Sequence, residues 1–154
     1  MRKRRILSWA LLLLASVPLL SQTNPPAKAP AAGPSLYKRL GGYDAIAAVT
    51  DDFIARLAED KQLSRLLVGL SDSSKARLRQ LAVDQICQAT GGPCLYIGRD
   101  TKTAHKGLGI TASDWDLSVK ALTASLEKFK VPQKEKDEFL ALTASLKGDI
   151  VEKP

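Results

Sequence analysis

From Leu36 to Ile150 the large apolar residues recur three and four positions apart, and they nowhere alternate for long enough to form a strand. That spacing commits the chain to helices. "LYKRLGG" reads as one short helical piece stopped by Gly41 and Gly42, followed by a stripe of Ile46, Val49, Phe53 and Leu57. A short segment with Leu63, Leu66 and Leu67 ends at Gly69, and Ser73 or Ser74 is placed to cap the next helix. Leu78, Leu81, Ala82, Cys87 and Ala89 carry that helix to a Gly91-Gly92-Pro93 stop. Thr111 with Asp114 has capping-box spacing and opens a helix with Trp115, Val119, Leu122, Leu126 and Phe129 on one face. Pro132 begins a last helix through Phe139, Leu142, Leu146 and Ile150, while Cys94 to Gly109 has no clean period and reads as loop with one or two turns. The fold class expected is all-α, with no internal repeat.

The first 35 residues stand apart. Four basic residues, Arg2 to Arg5, precede an apolar run from Ile6 to Leu20 that only Ser8 and Ser16 interrupt. Residues 1–22 therefore read as a secretory signal peptide or a retained N-terminal anchor. The run of about 15 residues is short of the roughly 20 that span hydrocarbon, yet charge-free sequence continues to Ala27. Residues 23–35 hold four prolines and almost no large apolar side chain, so they read as an extended tether. Cleaved or retained, this start exports residues 36–152 to the periplasm or cell envelope, with membrane association only through residues 6–22 if they remain.

Charge then excludes a partner class. The chain of 154 residues carries a formal +7, but five of its 23 basic residues, Arg2, Lys3, Arg4, Arg5 and Lys28, precede the folded part. The remaining 18 face 16 acidic residues, which is not the uncompensated positive surface that nucleic acid requires.

His105 is the sole histidine. In an irregular segment a lone histidine is most often a solvated or hydrogen-bonded side chain. In "TAHKGLGI", however, Gly107 and Gly109 permit a tight turn directly after the imidazole, which can hold a ring nitrogen over a flat apolar ligand. Neutral imidazole is a common donor to haem iron, and one protein ligand suffices because the porphyrin supplies four nitrogens. Cys87 and Cys94 straddle the Gly-Gly-Pro stop and fit a disulfide in an exported chain, or a buried and an exposed thiol. A zinc site from these two and His105 lacks an obvious fourth ligand. Arg99 and Lys102 lie where haem propionates would be within reach, or are simply exposed.

The segments "SLYKRLGGYDAIAAVTDDFIARL", "GGPCLYIGRD", "AHKGLGITASDWD" and "FKVPQKEK", in this order, resemble the truncated haemoglobins of group one, two-over-two helical globins. The likeness spans about residues 35–152 and is weakest through residues 64–77. It implies a truncated globin fold around haem b (iron protoporphyrin), with His105 as the axial iron ligand. The cofactor pocket it implies is formed by Phe53, Ile54, Leu67, Leu78, Leu81, Ala82, Tyr96, Arg99, Ile110 and Trp115. Two positions depart from the family pattern: Ile54 stands where members that hold oxygen firmly usually have tyrosine, and Leu67 replaces a phenylalanine. The side opposite His105 should then be mostly apolar, unless the helix register turns Gln80 or Gln85 inward. The implied activity is reversible binding of a diatomic gas, oxygen, nitric oxide or carbon monoxide, with storage, sensing and nitric oxide dioxygenase-type chemistry undistinguished and an unidentified reductase as partner. A different class of reading is a haem-free all-helical envelope module that binds another protein.

Overall fold

The computed structural model describes residues 33–153. The residues read from the sequence as signal or anchor, and most of those read as tether, lie outside the described residues. The helices are α1 (Leu36–Arg39), α2 (Gly42–Glu59), α3 (Asp72–Ala89), α4 (Thr101–His105), α5 (Ala112–Lys128), α6 (Gln133–Ala144) and α7 (Lys147–Ile150), with a 3-10 turn at Ser64–Leu66. Among the described residues no strand forms, only an isolated bridge between Thr111 and Lys153, so the all-α expectation holds. No described helix is long and apolar enough to cross a membrane.

Two helix pairs make the body. α2 packs on both α3 and α5, and α5 packs on α6, with α1 bridging α2 and α6. The stripes foreseen in the sequence meet here: Val49 of α2, Leu122 and Leu126 of α5 and Phe139 of α6 form one buried cluster with Leu36. A second cluster joins Ile46 and Ala47 of α2 to Val83 of α3. Polar ties fix the crossing of α2 and α5. The Asp52 carboxylate accepts from Lys128, from Arg56 Nε at 2.7 Å and from Ser125 Oγ at 2.8 Å. The Lys128 ammonium, followed by Arg56, holds the Asp52 carboxyl far below the usual carboxylate range.

Cys87 and Cys94 are joined as a disulfide, with Cα atoms 5.8 Å apart. The thiol alternative is thereby excluded, and a zinc site loses two of its three donors. The bridge depends on Gly92: a Cβ there would sit 2.5 Å from the Tyr37 ring and 2.6 Å from Cys87 Sγ.

Three local expectations are corrected. Ser71, rather than Ser73 or Ser74, caps α3, its Oγ accepting from the Ser74 amide at 3.2 Å. Starting at least two residues earlier places Asp72 in the first turn, where the helix dipole favours a carboxylate. The last helix breaks after Ala144, because Ser145 Oγ donates to the Leu142 carbonyl at 2.6 Å while the Leu146 amide bonds the Thr143 carbonyl in a tightened turn. Leu142, still within α6, is exposed. Phe129 falls just beyond α5, where the chain turns through Lys130 at φ 55°, and so leaves the buried face.

Candidate functional site

α4 is a single turn of helix, and His105 is its last residue. Asp100 starts the turn, its carboxylate accepting from the Thr103 amide at 2.9 Å. His105 Nδ1 lies 2.7 Å from the Thr101 carbonyl oxygen. A carbonyl can only accept, so Nδ1 bears the hydrogen and the Nε2 lone pair is left free to bind a metal. The half-buried ring is thus held in a ligating tautomer by its own helix.

α3 supplies the opposite wall, and its hydrogen bonds settle which way each side faces. Val83 and Cys87 are buried, Arg79 pairs with Asp51, and Gln80 Nε2 reaches Tyr43 Oη at 2.8 Å, all on the side toward α2. Roughly half a turn round, Gln85 Nε2 donates to Thr101 Oγ1 at 3.1 Å, and Gln88 Oε1 accepts from the Tyr96 amide at 2.6 Å. Those bonds turn the side bearing Leu78, Leu81 and Gln85 toward α4 and the loop before it, with Ala82 on its flank. Gln80 is therefore directed away from His105, whereas Gln85 is on the His105 side, engaged with Thr101.

Neither buried cluster includes a residue of α4. Leu67, Leu78 and Leu81 are only half-buried, and Leu108, three residues after the histidine, is 41% exposed. An apolar side of α3 turned toward α4, where His105 leaves one ring nitrogen free, suits a flat apolar group that ligates through its centre. The residues present fit a haem.

The other residues named from the sequence are less closely gathered. Ile54 is half-buried on α2, and Phe53 packs against the α2/α5/α6 cluster. Ile110 and Trp115 are buried just after the glycine turn, with Lys147 Nζ 5.9 Å from the Trp115 ring centre. Tyr96 is half-buried but closes its own loop, its hydroxyl donating to the Arg99 carbonyl at 2.6 Å. Arg99 and Lys102 are exposed.

The turn after His105 is pinned by groups that the sequence did not reveal. Gly107 and Gly109 have φ of 84° and 62°, the left-handed region. The Glu152 carboxylate accepts from both of their amides at 2.6 Å, and those two bonds hold its pKa below the ordinary value. Arg65, from the 3-10 turn, donates to the Leu108 carbonyl at 3.1 Å and pairs with Asp114 at 2.5 Å. Asp114 is 1% exposed and also accepts from Gln62 Nε2 at 2.8 Å and from the amide and hydroxyl of Thr111. Burial pushes the Asp114 carboxyl upward, but the hydrogen bonds from Thr111 and Gln62 and the charge of Arg65 outweigh it and bring the pKa to about 2. The capping-box spacing announced Asp114 as a helix cap; its pairing with Gln62 and Arg65 had no signal in the sequence.

Comparison with known proteins decides the family. Residues 35–152 match the bacterial-like globin family. The chain belongs to that family. The group 1 truncated hemoglobin GlbN of Mycolicibacterium paratuberculosis is 34% identical over 116 residues, covering 75% of this chain and 83% of that protein. The Synechocystis group 1 truncated hemoglobin GlbN is 30% identical over 118 residues, covering 74% and 90%. Among solved structures, the truncated hemoglobin of Tetrahymena pyriformis in its Fe(III) form superposes with a TM-score of 0.70 at 21% identity, over 77% of this chain and 98% of that one. The 2/2 hemoglobin of a Synechococcus species, solved in the cyanomet state with covalently attached heme, gives 0.69 at 26% identity over the same shares. The fold of this globin is the truncated one, as the resemblance implied.

Proposed function

We propose that this globin binds haem b through His105 Nε2 and reversibly takes up a diatomic gas in a mostly apolar pocket. The observation that carries the reading is the hydrogen bond from His105 Nδ1 to the Thr101 carbonyl, which leaves the correct nitrogen for iron. Leu67, Leu78, Leu81 and Ala82 would line the faces of the group beside Ile54, with Ile110 and Trp115 beneath the turn and Tyr96 at its edge. Arg99, just before α4, and Lys102, within it, are exposed and would serve as donors to its propionates. The haem would supply an iron centre for oxygen, nitric oxide or carbon monoxide. The chain's own part is to hold the imidazole oriented, to exclude water with aliphatic side chains, and to offer Gln85 as an amide on the pocket side of α3. Family membership and the His105 geometry favour this over a haem-free interaction module. The basic start and apolar run support export of the domain to the periplasm or cell envelope.

The test is oxygen dissociation from the ferrous, haem-supplied protein. A hydrogen bond to a partly charged acceptor contributes about 1 to 3 kcal/mol, and Ile54 makes none. Ile54→Tyr is therefore expected to slow oxygen loss about ten- to a hundredfold while leaving carbon monoxide release nearly unchanged. Slow oxygen loss from the unmodified protein would refute the apolar pocket and point to Gln85 as the donor.

A further inference from the structure

A five-residue helix has almost no stability of its own, so the pose of the His105 ring is set by whatever holds the two ends of α4. Asp100 holds the first end from within the same segment. At the other end the chain leaves the helix at Lys106 and passes through two left-handed glycines, a path that turns amides outward with no helical partner. Both glycine amides are taken by one distant carboxylate, that of Glu152, at 2.6 Å each. Glu152 is itself fixed by the backbone: its amide donates to the Ile110 carbonyl at 2.8 Å, the Lys153 amide donates to the same oxygen at 3.2 Å, and the Lys153 carbonyl accepts from Ala112 at 3.2 Å. α7, which leads directly into this segment, packs on α4. The C-terminal residues thus form a strap across the turn that follows the histidine. An exposed glutamate that merely decorated the surface would not bond two amides spaced on either side of one turn.

We propose that Glu152 is a positioning residue for the axial histidine, acting through the Gly107–Gly109 turn to fix the angle at which His105 Nε2 meets iron. The inference rests on the haem reading above. Arg65 donates to the Leu108 and Gly109 carbonyls from the other side, but the charge-assisted bonds from Glu152 are the ones that hold the two glycine amides. Loss of the carboxylate frees the glycines, whose conformational range is the widest of any residue, and the imidazole then samples tilted poses.

The experiment compares the full, haem-supplied chain with Glu152→Ala and Glu152→Gln in the ferrous, unligated state. The iron–histidine stretching band in resonance Raman should shift to lower frequency and broaden in Glu152→Ala. Haem transfer to an excess of a scavenging apoglobin should become about tenfold faster. Glu152→Gln, which keeps one acceptor oxygen, should recover part of both effects. A lower melting temperature with an unchanged band and unchanged haem transfer would show a purely structural role and overturn the inference. Amide exchange in the haem-free chain gives a second readout: Gly107 and Gly109 should be protected in the unmodified protein and lose that protection in Glu152→Ala. Fast exchange of both amides in the unmodified chain would overturn the clamp whatever the variants do. An unmodified protein with no iron–histidine band overturns the haem reading and this inference together, whereas a band that ignores Glu152→Ala overturns this inference alone.

Discussion

Removal of the Asp114 carboxylate should cost more stability than any surface charge in this protein. Asp114 is 1% exposed and accepts from Arg65, Gln62 and both polar groups of Thr111. Breaking a buried ion pair by deleting one partner typically costs 3 to 5 kcal/mol, because the partner is left uncompensated, and about 1 kcal/mol more follows from a lost cap. Here Arg65 is 45% exposed and regains water, which brings the sum to the lower end. Asp114→Ala should therefore destabilise by about 3 kcal/mol, or lower the melting temperature by about 10 °C for a domain of this size. The assay is urea unfolding, in which the midpoint should fall with the slope unchanged. Acid gives an independent check. The folded Asp114 pKa of about 2 lies below the value of 3.8 for a free aspartate, so the unfolded chain takes up the proton first as pH falls. Stabilisation of about 2 kcal/mol, fully present above pH 4, should be lost between pH 4 and pH 2, and Asp114→Asn should lack that increment. A cost below about 0.5 kcal/mol for Asp114→Ala, or parallel acid profiles for the unmodified and Asp114→Asn proteins, would refute the reasoning.

Intact mass measured without reductant should be lower by two hydrogens than that of the reduced chain, since Cys87 and Cys94 are bridged. Reduction should then cost about 2.5 kcal/mol on the chain-entropy estimate for so short a loop, with unchanged stability counting against the bridge. Fractionation of cells expressing the full chain should recover the globin domain beyond the inner membrane, in the periplasm or attached to the membrane. Full-length protein in the soluble cytoplasm would contradict the export reading.

Much of the body was legible because its physics is local. A stripe such as Ile46, Val49, Phe53 has one workable solution, a helix with that side buried, and Thr111 with Asp114 specifies a helix start by spacing alone. His105 stood out for a similar reason: an imidazole followed by two glycines is a conformational statement as well as a chemical one. The errors came where several residues of one type compete, as with the serines from Ser71 to Ser74, or where a side chain takes a backbone partner, as Ser145 does. What could not be read was the set of long-range polar partners. Nothing near Glu152 marks it as the acceptor for Gly107 and Gly109, and nothing near Arg65 ties it to Leu108 and Asp114. Such bonds are written by the three-dimensional path of the chain, and they surround the turn on which the histidine depends.

The most direct test of the account is the visible absorption spectrum of the haem-supplied protein beside that of His105→Ala. The unmodified chain should bind one haem and give, when reduced, the spectrum of iron with a single histidine ligand that shifts reversibly with carbon monoxide. In His105→Ala that spectrum should be lost and should return in part on addition of imidazole. An unchanged ferrous spectrum in His105→Ala would show that another group holds the iron, and failure of the unmodified chain to take up haem would contradict the account as a whole.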